Sequence, residues 1–274
     1  MKSLKYLSLI IITIFFFNSN LIAEEKKNSN DKKEKSSVYS GLKFRSIGPA
    51  LMSGRISDIV MHPENENIWY VTAGSGGVWK TENSGTTWNS IFDGQKSYSI
   101  GCITLDPQNP NIVWVGTGEN VGGRHVAYGD GIYKSEDGGK SWKNMGLKKS
   151  EHLSKIIIHP KNQNIIWVAS QGPLWSSGGE RGVYKTIDGG KTWTQTLGDG
   201  EWVGATDLLI DPRNPNLLYA ATWQRHRTVA GYMGGGPGTA IYKSTDGGEN
   251  WRKLKKGLPK SNMGKIGLAL SPQN

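Results

Sequence analysis

The sequence predicts an all-β protein made of repeated four-stranded units, and three observations support this: the composition, the internal repeats and the spacing between them. Among the 274 residues, 37 are Gly, 11 are Trp and only one is Cys. Gly costs about 1 kcal/mol relative to Ala in a helix interior, and aromatic side chains lose rotamer freedom there. The composition therefore disfavours a helical bundle, and a single cysteine excludes an internal disulfide framework.

The N-terminal residues have the pattern of an export signal. Lys2 and Lys5 precede an apolar run over residues 7–17, and a small residue follows before the first acidic pair. This run is shorter than the roughly 20 residues that a membrane-spanning helix needs. We therefore predict a signal peptide over residues 1–23, no stable membrane insertion after its cleavage, and a secreted, periplasmic or cell-surface location. Residues 24–40 are rich in Lys, Glu, Asn and Ser and are predicted to be a disordered linker.

Charge and cysteine usage exclude two classes of function. The net charge of +10 is spread along the chain, without a basic stripe or a recognised nucleic-acid module, so no nucleic-acid partner is expected. Cys102 lies in an apolar strand pattern, Ser99 to Leu105, with no base near it in the sequence. We predict a buried thiol there instead of a nucleophile.

The first repeated element is a strand, a Pro/Asn turn and a second strand. An alternating apolar stretch precedes each turn and an aromatic strand follows it, as in Ile68 to Val71. Pro and Asn favour turns because Pro fixes φ and Asn bonds to nearby backbone. The four copies of this turn begin at His62, Asp106, His159 and Asp211.

The second repeated element is a hairpin closed by a tryptophan, which we call a box. Its third copy reads Thr186 to Trp193, with Asp188 followed by two Gly. The carboxylate can accept backbone N–H groups across the turn, Gly can adopt positive φ, and Trp can pack on its neighbour. The first box has Asn in place of Asp, so its turn is expected to be slightly weaker. The predicted structural residues of the boxes are Asn83, Trp88, Asp137, Trp142, Asp188, Trp193, Asp246 and Trp251.

Together the two elements supply four antiparallel strands, A to D, in each repeat of about 50 residues, which is typical of a β-propeller blade. The box resembles the Asp-box, or BNR repeat. The run from Phe44 to Asn274 resembles the N-terminal propeller of sortilin-like (VPS10) proteins and their bacterial relatives. The same boxes occur in xyloglucan-degrading glycosidases, sialidases and a photosystem II assembly factor. The resemblance implies a partial propeller over residues 41–274, with four blades and the first strand of a fifth, so the chain is expected to be a fragment.

Length variation between the repeats falls mainly between strands B and C. In an up-and-down blade, the B–C loops and D–A connections share one face, so the longer loops are expected to form a common surface. Aromatic, arginine and histidine side chains there suit recognition of a protein, peptide or glycan. No cofactor or metal is expected. The predicted ligand-binding residues are Arg124, His125, Trp175, Arg181, Trp202, Trp223, Arg225, His226 and Tyr232.

The alternative hypothesis is a glycoside hydrolase with part of its active site missing from this chain. An inverting glycosidase needs two carboxylates about 6.5–9.5 Å apart. In xyloglucanase-like relatives one catalytic Asp follows strand B of an early blade, and the matching position here is Gly74. Glu119 is the best substitute, with Asp130 and Glu180 as weaker candidates.

A sialidase would instead need converging arginines, and Arg55, Arg124, Arg181 and Arg225 lack an identifying spacing. The sequence contains no HExxH pattern, Cys/His ligand set, P-loop or nucleophile elbow. We therefore predict an exported binding module that uses the B–C loop face, and we leave the hydrolase as the alternative.

Overall fold

A computed structural model of the chain describes residues 54–198 and 200–271. The predicted signal peptide and linker lie outside these residues, as do the final positions 272–274. The described residues all belong to one compact unit, which spans Gly48–Asn274. Within this part of the chain, no helix is long and apolar enough to cross a membrane.

Four antiparallel four-stranded sheets follow one another along the chain, in the predicted order A-B-C-D. We call them blades 1 to 4. Blade 1 contains β1 (Ile56–Met61), β2 (Trp69–Ala73), β3 (Gly77–Thr81) and β4 (Asn89–Ser90). Blade 2 contains β5 (Ile100–Leu105), β6 (Val113–Thr117), β7 (Ile132–Ser135) and β8 (Lys143–Asn144). Blade 3 contains β9 (Leu153–His159), β10 (Asn162–Ser170), β11 (Gly182–Thr186) and β12 (Thr194–Leu197). Blade 4 contains β13 (Val203–Asp211), β14 (Asn214–Gln224), β17 (Ile241–Ser244) and β18 (Arg252–Lys253), and its B–C loop carries a small hairpin, β15 (His226–Arg227) with β16 (Tyr232–Met233).

The hydrophobic core lies at the junctions between successive blades. One buried cluster joins blades 2 and 3 and includes Trp114, Ile132 and Ile156. Equivalent clusters join blades 3 and 4, and blades 1 and 2. Cys102, on β5, is buried in this core as predicted. Successive side chains of a strand point to opposite faces of its sheet, and these faces pack against the neighbouring blades. The apolar side chains are therefore buried between sheets, which is the arrangement of a β-propeller.

The boxes form the predicted hairpins and also connect neighbouring blades. Asp188 Oδ1 accepts hydrogen bonds from Thr186 Oγ1 at 2.7 Å and from the N–H groups of Lys191 and Thr192 at 2.9 and 3.0 Å. Gly189 and Gly190 have φ values of 72° and 87°. Trp193 Nε1 donates to Met145 O in the preceding blade at 2.8 Å. A box tryptophan thus contacts the previous blade as well as its own hairpin.

The first box keeps this geometry although it carries Asn83. The Asn83 Oδ1 accepts from Thr81 Oγ1 and Thr87 N at 3.0 and 2.9 Å, while Nδ2 donates to Thr87 Oγ1 at 2.9 Å. In the second box the Ser141 hydroxyl instead donates to Asp137 Oδ2 at 2.5 Å. The amide therefore makes the same set of contacts because the hydroxyl partner can reverse its role from donor to acceptor.

Residues 264–271 take the place of the innermost strand of a further blade. Leu268 N donates to Asp207 Oδ2 on β13 at 2.8 Å, just as Ile103 N on β5 donates to Asp58 Oδ2 on β1 at 3.1 Å. This segment is not assigned as a strand, and only Met263, just before it, forms an isolated bridge, to Gly236. Its course along β13 nevertheless matches that of strand A in blade 2.

Candidate functional site

Glu119 lies at the start of the B–C loop of blade 2, two residues after the end of β6. Its side chain is 2% exposed and accepts a hydrogen bond from Arg55 Nε at 2.7 Å, and Arg55 Nη2 also contacts the carboxylate. Ser99 Oγ accepts from its backbone N–H at 3.0 Å, and His152 Nδ1 lies 3.0 Å from its carbonyl oxygen. Arg55 therefore holds the Glu119 carboxylate, while Ser99 and His152 hold its backbone.

This carboxylate occupies the space beside Gly74. A Cβ at Gly74 would overlap the Glu119 side chain, so the glycine is what admits it. The second carboxylate oxygen, Oε2, is buried and has no hydrogen-bond partner among the described residues. Burial and the charge of Arg225 lower the pKa of His152, which contacts the Glu119 backbone carbonyl, to about 3. His152 is thus a neutral ring in the interior of the face that carries the B–C loops.

Three successive backbone carbonyls after Glu119 each accept hydrogen bonds from a cationic side chain. Lys265 Nζ donates to Asn120 O at 2.6 Å, Arg225 Nη1 to Val121 O at 2.8 Å, and Arg227 Nη2 to Gly122 O at 2.8 Å. Charge-assisted hydrogen bonds are about twice as strong as neutral ones. The position of loop 119–125 of blade 2 is therefore set by side chains from blade 4 and from the segment that follows it.

The cations of this region are partly desolvated. Burial, followed by the charge of Arg181, lowers the pKa of Arg225 to about 9. Desolvation of the ammonium group and the charge of Arg225 lower the pKa of Lys265 to about 8, and this ammonium lies 5.7 Å from the centre of the Trp223 ring. Desolvation destabilises a charged group. The hydrogen bonds that these cations donate to backbone carbonyls offset part of that cost.

Three of the predicted ligand-binding residues are buried: besides Arg225, these are Arg181 and Trp223, which hold the loops of blades 3 and 4 in place. Arg181 is 3% exposed and donates to Gly178 O at 2.6 Å, to Gln171 O at 2.9 Å and to Ser176 O at 2.7 Å. Trp223 is 5% exposed, and its Nε1 donates to Gly234 O at 2.9 Å. Their side-chain polar groups are engaged by backbone carbonyls of the loops themselves.

Trp202 and His226 stack on each other at the edge of these loops. Their ring centres are 3.8 Å apart, and the Arg181 guanidinium lies 5.7 Å from the Trp202 ring centre. Both aromatic residues are half-buried, as is Trp175. They leave part of their ring surface open on this face.

Asp130 and Glu180, the weaker carboxylate candidates, bind neighbouring parts of the fold. Asp130 Oδ2 accepts from the Tyr133 hydroxyl at 2.6 Å. Burial and this hydrogen bond raise the pKa of Tyr133 to about 12. Glu180 Oε2 accepts from Lys149 N at 2.7 Å. Both carboxylates therefore support loop or strand geometry. Among the described residues, neither of them contacts the Glu119 side chain.

The exposed part of the face combines the loops of blades 2 and 4. Arg124 Nη2 donates to Val229 O at 2.9 Å, which joins loop 119–125 to the β15–β16 hairpin. Tyr128 and Tyr232 are 55% and 43% exposed. We call this surface the crest, and its exposed residues are Arg124, His125, Tyr128, Val229, Tyr232 and Met233.

Several residues of this face were not predicted as site residues. His152, Gln171, Arg227 and Lys265 lie around loop 119–125. Counted from the Pro/Asn turn of each repeat, Gln171 and Trp223 occupy the position that Gly74 has in the first repeat. Among residues 54–198 and 200–271, no three His, Cys, Asp or Glu side chains form a group able to hold a metal ion.

Comparison with known proteins identifies the family. The model of the Sortilin-Vps10 family, described as sortilin, neurotensin receptor 3, matches residues 130–266, which is half of the chain. The chain belongs to the Sortilin-Vps10 family. The matched range runs from the end of the blade 2 loop to the segment beside β13, so this Sortilin-Vps10 match covers blades 3 and 4 completely.

Curated relatives of this Sortilin-Vps10 chain include xyloglucanases. The chain is similar to the probable oligoxyloglucan-reducing end-specific xyloglucanase of Neosartorya fischeri, with 22% identity over 73% of this chain and 24% of that protein. It is also similar to the xyloglucanase of Hypocrea jecorina, with 23% identity over 72% of this chain and 26% of that protein. The chain thus spans about a quarter of the length of these relatives.

Solved structures share the fold of this Sortilin-Vps10 chain. The GH74 enzyme of Niastella koreensis superposes with a TM-score of 0.54 and 23% identity, over 71% of this chain and 28% of that enzyme. The four-stranded blades seen here are therefore blades of a known propeller architecture.

Proposed function

We propose that this chain is an exported glycan-binding module that uses the crest as its binding surface. The observation that carries this proposal is the hydrogen bonding of loop 119–125 to the β15–β16 hairpin, which holds exposed aromatic and cationic side chains on one face. Export is supported by Lys2, Lys5 and the apolar run over residues 7–17.

The chemistry of the crest suits sugar rings. Tyrosine rings offer rigid, partly apolar surfaces, and arginine and histidine offer hydrogen-bond donors for hydroxyl groups. Arg227 stacks on Tyr232 with its guanidinium 4.2 Å from the ring centre, so this ring is already oriented before a ligand arrives. The names of the curated relatives, which are xyloglucanases, favour a glycan over a peptide as the ligand.

Titration calorimetry with xyloglucan oligosaccharides tests the proposal. The double variant Tyr128→Ala with Tyr232→Ala is expected to weaken binding at least about tenfold, because loss of two aromatic contacts costs more than about 1.4 kcal/mol. The control is Ile187→Ala, which removes an apolar side chain that is 70% exposed on the box face. An unchanged affinity in the double variant would contradict the proposal, as would binding of peptides alone.

A second candidate, glycoside hydrolysis, is favoured by the position of Glu119. Its carboxylate fills the space beside Gly74, where the resemblance to xyloglucanases places a catalytic Asp, and its Oε2 has no hydrogen-bond partner in the described part of the chain. Hydrolysis of xyloglucan by the full-length protein, abolished in Glu119→Gln, would establish this activity. Binding without turnover in the unmodified protein would leave the binding module as the function.

A further inference from the structure

A cleft of about 350 Å³ lies on the opposite face, between the boxes of blades 2 and 3. Lys134 and Lys143 of blade 2 line it together with Lys191 of blade 3, and the remaining lining residues include Trp142, Asn164 and the acidic Glu136 and Asp188. This face carries the box hairpins, so the cleft is separate from the crest and independent of the function proposed above.

The matching position between blades 3 and 4 is closed by a salt bridge. There, Lys185 Nζ donates to Glu249 Oε1 at 2.6 Å and to Gly247 O at 2.7 Å across the junction. The residue two positions after Lys185 is Ile187, so no acid in its own blade competes for this lysine there. A lysine of strand C and the acid of the next box thus neutralise each other at this junction.

Two residue differences change this pairing between blades 2 and 3. Lys134, which matches Lys185, has Glu136 in its own blade and donates to it at 2.6 Å. The residue that matches Glu249 is Lys191, so the next box presents a cation instead of an anion. Among the described residues, no salt bridge therefore crosses this junction, and neither Lys143 nor Lys191 has an acidic partner.

Three lysines and two acidic residues line the cleft, and because Lys134 pairs with Glu136, its excess positive charge lies at Lys143 and Lys191. Lys134 and Lys143 are directly opposite on β7 and β8, an arrangement that destabilises an antiparallel pair when the charges are alike. Asp188 also lines the cleft and its negative charge offsets part of this positive charge, but its oxygens accept four hydrogen bonds within its own box and form no ion pair with these lysines among the described residues. An anion in the cleft would relieve this repulsion.

We propose that this cleft binds an acidic saccharide, whose carboxylate or sulfate group lies between Lys143 and Lys191. The volume is at the lower end of the range for small-ligand sites, about 300–1,000 Å³. The Trp142 side chain offers an apolar wall for the sugar ring, and the Asn164 amide offers donors and an acceptor for its hydroxyls.

Titration of the isotope-labelled chain, followed by amide NMR shifts, tests the site. Glucuronate and glucosamine 6-sulfate are the two probes, and they distinguish a carboxylate from a sulfate as the recognised group. Saturable shifts around Lys143 and Lys191 are expected with at least one of them and not with glucose. Equal affinity for inorganic sulfate, or tighter binding of a glutamate-rich peptide, would overturn the saccharide assignment.

Lys191→Glu is expected to weaken binding about tenfold or more, because it places a carboxylate opposite Lys134 and Lys143. The fold tolerates Glu at this position, as Glu249 shows in the fourth box. Lys143→Thr, which copies Thr194 of blade 3, is the second variant and is expected to weaken binding several-fold. Lys140→Glu makes the same charge change in the second box, outside the cleft, and should leave the affinity within about twofold. If Lys191→Glu binds as tightly as the unmodified chain, the proposal is wrong.

Discussion

The ionisation of the box aspartates is tied to the fold, because their carboxylates accept hydrogen bonds within the turn. Hydrogen bonds from the hydroxyl and backbone N–H of Ser141 lower the pKa of Asp137 from its usual 3.8 to about 2. Because the folded pKa lies below the unfolded one, the unfolded chain binds more protons at acidic pH. The resulting stabilisation is fully present above about pH 4 and is lost as the pH falls through about 2.

Asp137→Asn is expected to reduce this pH dependence while preserving the fold. The amide can copy the contacts of Asn83 in the first box, including its Nδ2 donation to Thr87 Oγ1 at 2.9 Å. Denaturant midpoints measured between pH 2 and pH 7 should show a shallower loss of stability for Asp137→Asn than for the unmodified chain. Asp137→Ala, which loses the acceptor entirely, should be less stable at every pH, and equal slopes in all three proteins would contradict this account.

Residue types and spacing were sufficient to predict the boxes, because their contacts are local. Asp188 and its partners Thr186 and Thr192 lie within a few residues of one another. The Arg55–Glu119 pair could not be found in this way, since 64 residues separate the two side chains. Their meeting depends on how blades 1 and 2 pack, which no local pattern encodes.

At the scale of the strand pair, the box tryptophans of blades 2, 3 and 4 connect their hairpins to the preceding blade. Trp142 Nε1 donates to Ile91 O at 2.7 Å, and Trp193 Nε1 donates to Met145 O at 2.8 Å. Trp88 of the first box is 37% exposed and its Nε1 bonds only its own hairpin, at Gly85 O, in the described part of the chain. The contribution of a box tryptophan to stability should therefore depend on its blade.

Trp193→Phe is expected to lower the free energy of unfolding by about 1–2 kcal/mol, because it removes a hydrogen bond between blades and leaves Met145 O without this donor. Trp88→Phe removes only a bond within one exposed hairpin and should cost less. Urea unfolding followed by circular dichroism compares the two variants. A larger loss for Trp88→Phe than for Trp193→Phe would show that the bond between blades does not stabilise the sheet pair.

The loops illustrate what sequence reasoning could and could not provide at this scale. Spacing between repeats located the long B–C loops and identified the residues that they carry. It could not separate Arg225, which is buried and bonds Val121 O and Gly172 O, from the exposed Tyr232. Arg225 is buried because loops from blades 2 and 3 cover it. Its partners Val121 and Gly172 are 104 and 53 residues away in the sequence.

For the molecule as a whole, the close approach of neighbouring blades limits which substitutions are tolerated. A Cβ at Gly101 on β5 would collide with the backbone oxygen of Leu153 on β9. Glycine is required there because the innermost strands of blades 2 and 3 lie too close for any side chain. Sequence alone marks Gly101 as an interruption of an apolar strand but does not show which backbone it faces.

Gly101→Ala is expected to lower the free energy of unfolding by about 1–3 kcal/mol, the usual cost of overpacking in a tightly packed interior. Gly94→Ala is the matched control, because a Cβ at Gly94 has no heavy atom within 4 Å. This control should stay within about 0.5 kcal/mol of the unmodified chain. Chemical denaturation of the two variants under identical conditions provides the comparison, and similar midpoints would contradict the close approach of the blades.

The bonds that hold loop 119–125 also determine when the crest can form. Arg227 and Gly122 are 105 residues apart, and Lys265 and Asn120 are 145 residues apart. Contacts of such sequence separation form late in folding, since the intervening chain must first be ordered. On the ribosome, blade 2 emerges long before Lys265 does, so a nascent chain can complete that blade while its loop still lacks its cationic partners. The order of synthesis therefore delays the crest until blade 4 and the segment after it have been made.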